Sequence, residues 1–274
     1  MKESIISFIG GGNMATSLIG GLLQTGVPAK NLRVSDINPH SLASRFPIQC
    51  FSDNLEAIQD ADVIVLAVKP QIMAEVAKTI ATALPERNPL FISIAAGIRV
   101  ADLNRWLGDG AIPIVRVMPN TPALVQSGAS ALYASEHVRK EQHELAESIL
   151  RAVGLTVWLT DENLIDVVTA LSGSGPAYFF LLMEVLEKAG IQLGLPQETA
   201  RLLTLQTAFG AAKMALESNE DAALLRERVT SKGGTTEQAI KSLQAGNIQA
   251  MFDRALQAAQ KRATQMANEY GEQA

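Results

Sequence analysis

Cysteine is almost missing from this chain: among 274 residues only Cys50 is one, so no disulfide can close within it. Histidine is scarce too, the three being the scattered His40, His137 and His143, and no Cys/His group has metal-ligand spacing. A bound metal is not expected. Dense Lys/Arg runs are also lacking. The 23 basic residues are outnumbered by 28 acidic ones, a net charge of -5, which argues against nucleic acid as a partner. The continuous apolar stretches are short, such as Val63 to Val68. The run Ser4 to Ile9 ends in glycines with no cationic flank or cleavage site, so neither a membrane span nor an export signal is expected. These absences point to a cytoplasmic, metal-free protein. What is present is ample apolar material, 47% of the residues, enough for one large domain or two ordinary ones.

Residues up to about 160 alternate short β-branched runs with helix-length segments. The runs are Ile5–Ile9, Leu32–Val34, Val63–Val68, Leu90–Ile94 and Ile114–Val117. Uninterrupted apolar strands separated by helices imply burial on both faces, and hence a doubly wound α/β domain with a parallel sheet. Ser130–Tyr133 and Thr156–Leu159, on either side of a helix from Glu141 to Val153, are expected as extra edge strands. From Glu162 onward only helical periodicity is found, broken at Gly173, Gly175, Gly194, Gly233 and Gly246. The boundary is therefore placed between 161 and 162, with an all-α domain over 162–274. Its segment Ala177–Leu186 is apolar almost all round, and Ala208, Ala211, Ala212 and Ala215 form a stripe of small residues; a subunit interface is favoured over a closed bundle. The tail Asn268–Ala274 is expected to fray.

The first strand runs directly into Gly10-Gly11-Gly12-Asn13-Met14-Ala15 and then a helix-forming stretch closed by Gly26. In this G-x-G-x-x-A pattern Gly10 permits the tight turn and Gly12 lets a pyrophosphate approach the backbone. Ala15 allows close packing of helix on strand, and the helix N-terminus offers free N–H groups to the anion. Asp36, 24 positions after Gly12 at the end of the second strand, is placed to accept hydrogen bonds from adenosine ribose hydroxyls, which suits NADH. Ser35 and Asn38 leave NADPH open. The third, fourth and fifth strands end in Ala67-Val68-Lys69-Pro70, in Ser93 to Gly97 with Ala95 and Ala96, and in Met118 to Pro122 with Asn120. In an open parallel sheet these strand ends border the ligand crevice. Lys69 either adds positive charge there or is simply solvated. The turn Ser231-Lys232-Gly233-Gly234-Thr235-Thr236 precedes a second helix and suits a carboxylate, although locally a capping turn without ligand is the favoured reading.

Taken together, Phe8–Met14, Ala67–Pro70, Ser93–Gly97, Met118–Pro122, Ser172–Tyr178 and Thr230–Thr236 resemble the pyrroline-5-carboxylate reductase family over nearly the whole chain. The resemblance implies an N-terminal Rossmann domain over 1–161 and a helical dimerisation and substrate domain over 162–274. It also implies a homodimer or larger homo-oligomer and reduction of 1-pyrroline-5-carboxylate to L-proline with NADPH or NADH. By position it assigns Gly10, Gly11, Gly12, Asn13, Met14, Asn54, Ala67, Val68, Lys69, Pro70, Ala95 and Ala96 to the cofactor. Ser174, Ser231, Gly234, Thr235 and Thr236 are assigned to the substrate, with Thr236 bonding the ring nitrogen. Lys232 stands where the family commonly has proline. A protonated imine already carries its proton, so hydride transfer needs no strong side-chain acid, in keeping with the shortage of histidine.

Two other readings differ in testable features. A β-hydroxyacid dehydrogenase of similar architecture needs a lysine four residues after the interdomain glycine, where this chain has Phe179, which cannot move a proton. A non-catalytic dinucleotide sensor has no need of the second glycine–threonine loop.

Overall fold

A computed structural model describes residues 3–84 and 88–272. In chain order the first elements are β1 (Ile6–Ile9), α1 (Asn13–Gln24), β2 (Leu32–Ser35), α2 (His40–Ala43), β3 (Gln49–Phe51), α3 (Asn54–Ile58), β4 (Val63–Leu66), α4 (Pro70–Ala81), β5 (Leu90–Ser93) and α5 (Val100–Trp106). They continue with β6 (Ile114–Met118), β7 (Gly128–Ala134), α6 (Lys140–Arg151), β8 (Gly154–Leu159) and α7 (Leu164–Val168). The strands form one sheet in the order β3-β2-β1-β4-β5-β6-β7-β8. All neighbours are parallel except β6 and β7, so the β7–α6–β8 unit runs opposite to the rest. The expected sheet is thus largely parallel but not wholly so. Its edge strand β3 was not expected, because Gln49-Cys50-Phe51 is three residues long and carries no alternating apolar pattern.

The continuous apolar strands have the expected cause. Along β4, Val63 and Val65 face one cluster with Leu18, Leu22 and Ile149, while Ile64 and Leu66 face another with Met73, Ile80 and Trp106. Helices α1 and α6 therefore cover one face and α3, α4 and α5 the other. Helix α1 ends as its glycine demands: Gly26 takes φ +87°, its N–H reaches the Leu23 carbonyl, and Val27 N–H reaches that of Leu22.

Among the described residues one buried strand residue is charged. Arg116 in β6 is 3% exposed and pairs with Glu162 at 3.0 Å and Asp166 at 3.4 Å. Glu162 also accepts from Val100 N–H at the start of α5 (2.8 Å), and Asp166 accepts from the Thr264 hydroxyl (2.9 Å). A single π turn, Thr169–Gly173, follows α7 and sets Gly173 against the Met118 side chain.

The chain divides into two compact units. One comprises the residues up to Ser174 together with those from Ala258 onward, and the other is Gly175–Gln257. This differs from the boundary at 161/162. Residues 162–174 are tied to the sheet through Arg116, and the end of the last helix also belongs with the first unit. That helix, α12 once the intervening helices are numbered, spans Ile248–Gly271. The fraying expected from Asn268 does not hold for Asn268–Gly271: these residues are helical and Tyr270 is buried (8% exposed), its ring packed on the cluster beneath α4 and α5. Gln273 and Ala274 lie outside the described residues.

The second unit contains α8 (Gly175–Gln192), α9 (Gln197–Glu217), α10 (Ala222–Arg228), α11 (Thr235–Ala245) and the start of α12. Helix α8 packs on α9, with Gly190 close to Leu195 and Ala200. Almost nothing here is buried: only Gly175 in α8 and Ala200 in α9, and no residue of α10 or α11. Phe179, Phe180 and Phe209 are each 63% exposed, and Ala211, Ala212 and Ala215 face solvent. Among the described residues one helical run, Leu164–Gln192, is long and apolar enough by length and composition to cross a bilayer. That apolar length exceeds the short stretches expected from the sequence. Its first residues nonetheless hold Asp166, which is paired with Arg116 against the sheet.

Candidate active site

The strand order reverses between β1 and β4, and there the C-terminal ends of neighbouring strands open a crevice. Gly10 turns the chain out of β1 with φ +97°, donating to the Ser35 carbonyl at 2.8 Å. A β-carbon on it would lie 2.8 Å from the Ala67 carbonyl oxygen, so the turn closes on β4 only with glycine. Gly11 is braced from β2: its N–H donates to Asp36 Oδ2 at 2.7 Å, while Asp36 Oδ1 accepts from Asn38 N–H at 2.9 Å.

Gly12 is different in kind. It caps α1 with φ −66°, a value open to any residue, and a β-carbon on it would meet nothing within 4 Å. Neither conformation nor packing inside the protein calls for glycine. The helix above it begins with no side-chain cap and no acidic residue in its first turn, so its N–H groups face outward with the positive end of the helix dipole. Asn13 is exposed beside it, Met14 is partly buried against the core, and Ala15 is 1% exposed where helix meets strand. A backbone open in front of Gly12, with free donors behind, fits a pyrophosphate.

Around this loop the structure gathers most of the anticipated residues on consecutive strand ends. Ala67 and Val68 follow β4, exposed Lys69 caps α4, and Pro70 is that helix's first residue. Ala95 (6% exposed) and Ala96 follow β5. Ser35 and Asn54 meet each other: Ser35 is 2% exposed and its hydroxyl donates to the Asn54 side-chain oxygen, which turns the Ser35 side chain inward. Asn120 is likewise engaged. Its amide nitrogen donates to the Ser172 carbonyl (3.1 Å) and its oxygen accepts from Ala129 N–H (2.9 Å), joining the end of β6 to β7 and to the π turn. This clamp explains the residue without a ligand. Burial pushes the Cys50 thiol on β3 up from its ordinary range, which keeps it protonated and a poor nucleophile.

Ser174 closes the π turn at the end of the first unit, its N–H donating to the Thr169 carbonyl at 2.8 Å. In the second unit Ser231, Gly234, Thr235 and Thr236 form one turn. Gly233 takes φ +76° and its N–H donates to Glu237 Oε2 at 2.8 Å; Gly234 N–H donates to the Ser231 carbonyl at 3.0 Å. Gly234 caps α11 without a side-chain bond, and a β-carbon there would stand 2.5 Å from the Ser231 hydroxyl. One loop N–H thus already holds the Glu237 carboxylate, while the helix N-terminus beside it has no side-chain cap. The sequence reading missed Arg116, whose only signal is one charge inside an apolar strand, and the Tyr270 end of α12, which gave none.

A reversing parallel sheet, an open glycine loop under an uncapped helix and a second glycine-rich turn at a helix N-terminus on a helical unit fit a Rossmann-type, dinucleotide-dependent oxidoreductase. Comparison with known proteins narrows that class. The family model described as pyrroline-5-carboxylate reductase dimerisation matches residues 162–266, and that described as NADP oxidoreductase, coenzyme F420-dependent, matches residues 5–97. A pyrroline-5-carboxylate reductase of Pseudomonas aeruginosa is 54% identical, covering 99% of this chain and 100% of its own. The structure of a pyrroline-5-carboxylate reductase from Coxiella burnetii superposes with a TM-score of 0.92 at 47% identity, covering 96% of this chain and 98% of its own. That of a Plasmodium falciparum pyrroline carboxylate reductase with NADP bound gives 0.87 at 30% identity, over 97% and 99%. The chain belongs to the pyrroline-5-carboxylate reductase family.

Proposed function

We propose that this protein reduces 1-pyrroline-5-carboxylate to L-proline with NADH or NADPH, in the cytoplasm, as a homodimer or larger homo-oligomer. The observation that carries the nucleotide half is Gly12, a glycine with ordinary φ and empty space where its side chain would be. When bound, the reduced nicotinamide supplies a hydride. The chain's own residues do the rest by holding and orienting. The first turn of α1 takes the pyrophosphate, Asp36 is aimed to take a ribose hydroxyl with its remaining lone pairs, and Ala95 and Ala96 leave space for the ring. The uncapped first turn of α11 takes the substrate carboxylate, and the Thr236 hydroxyl bonds the ring nitrogen. The iminium form already bears a proton on nitrogen. As hydride adds to carbon, the C=N electron pair passes to that nitrogen, so no side chain has to deliver a proton. Ser35 and Asn120 act in this reading by shaping the rim rather than by touching cofactor.

Support for the oligomer comes from the second unit, which buries almost none of its own apolar side chains, and from the match of residues 162–266 to a dimerisation model. The test is loss of NADH or NADPH absorbance with purified protein on addition of pyrroline-5-carboxylate, with proline as the product. Imine-dependent oxidation is expected with at least one nucleotide, and its absence with both would overturn the reading.

A further inference from the structure

The C-terminal end of α12 touches two of the loops assigned above to the cofactor. Tyr270 is 8% exposed, and its ring lies against Gly97, whose β-carbon, if it had one, would stand 3.1 Å from Tyr270 Cδ2. Gly97 takes φ +73° and directly follows Ala95 and Ala96. The Tyr270 hydroxyl accepts from Gln71 Nε2 at 3.0 Å, and Gln71 is the residue after Pro70 in the first turn of α4. The helix end is itself anchored from α5 and the residue before it: Arg99 donates to the Asn268 side chain (2.7 Å) and Arg105 to the Gly271 carbonyl (2.6 Å).

We infer that Tyr270 is a positioning residue for the nucleotide, a brace that fixes the β5–α5 loop and the N-terminus of α4 at a set separation so that the nicotinamide side of the crevice is formed before ligand arrives. The ring fixes one loop by packing and the hydroxyl fixes the other by a hydrogen bond; a rotation of either loop opens the space that Ala95, Ala96 and Lys69 border. This rests on the nucleotide-binding reading proposed above. Preorganisation of this kind acts on ligand affinity, because the ordering is done by the fold and not by the ligand.

The test compares Tyr270→Ala, Tyr270→Phe and Gln71→Ala in the full-length protein, reading the dissociation constants of NADH and NADPH from nucleotide fluorescence, with melting temperature measured in parallel. Tyr270→Ala is expected to weaken nucleotide binding at least fivefold and to raise the KM for nucleotide while leaving the KM for imine in place. Tyr270→Phe and Gln71→Ala should each weaken binding about twofold, and the double variant no further, since both remove one hydrogen bond. If melting falls in Tyr270→Ala but nucleotide affinity does not, α12 is only a structural anchor and the inference fails. Should Tyr270→Ala not fold, unchanged affinity in both Tyr270→Phe and Gln71→Ala overturns it equally. Failure of the unaltered protein to bind either nucleotide would overturn the functional reading itself.

Discussion

Three consecutive glycines do three separate jobs, and the difference is measurable. Gly10→Ala forces a β-carbon into the Ala67 carbonyl at a positive φ, so it is expected to lower stability by at least 1 kcal/mol on backbone grounds, read as a shift in the urea midpoint. Gly12→Ala meets no protein atom and should unfold at the unaltered midpoint while binding nucleotide more weakly; equal binding would remove Gly12 from the site. Asp36 braces Gly11 and, in the proposed function, takes a ribose hydroxyl, and substitution can part the two. Asp36→Asn keeps an acceptor for Gly11 N–H and removes the charge, so the ratio of NADPH to NADH efficiency should rise with little general loss. Asp36→Ser removes the charge and, with its shorter side chain, the acceptor for Gly11 N–H as well, a bond worth about 1.5–3 kcal/mol with the carboxylate in place, and should weaken both nucleotides. An unchanged ratio in both variants would place the carboxylate outside the ribose pocket. At this scale the sequence was informative wherever a residue's necessity is steric and local, as with Gly10 between strand and helix. It gave no sign of the clamp at Asn120, whose partners Ser172 and Ala129 are brought to it by the fold and leave no trace in local pattern.

Among the elements, the long apolar strands were legible because burial on both faces leaves a continuous run, whereas β3 was not, since a three-residue edge strand draws its pairing from β2 and little from its own composition. The reversal of β7 was equally hidden: composition does not encode strand direction. Arg116 shows what a single charge in a buried strand entails, joining β6 to the residues around α7, to the start of α5 and to α12. Replacing it by methionine strands two carboxylates that are 22% and 13% exposed, with an expected cost of about 3 kcal/mol, the lower end for a broken buried pair because some water reaches them. Adding Glu162→Gln and Asp166→Asn to Arg116→Met should return part of that stability in denaturant titrations. No recovery would mean that the methionine fails by packing and that the charges were never the issue.

On the scale of the whole molecule, the two units differ in what holds them together. The first has apolar clusters on both faces of its sheet and can account for its own stability. The second leaves Phe179, Phe180 and Phe209 more than half exposed, and each such side chain forgoes about 1.5–3 kcal/mol that burial would supply. In the oligomer proposed above, a unit of that kind gains its core from another copy, which ties its folding to protein concentration. The protein is therefore expected to melt at temperatures that rise with concentration, and a charged residue on α8, as in Phe180→Lys, should shift its mass in sedimentation toward the monomer. The same variant should keep nucleotide affinity, because the glycine loop sits in the unit with its own core, yet lose imine reduction, because the turn at Ser231–Thr236 belongs to the unit left unsupported. A monomer that still reduces the imine at the full rate would show that the helical unit needs no partner to work. An unaltered protein whose melting is independent of concentration and whose mass is that of one chain would remove the oligomer from the proposal altogether.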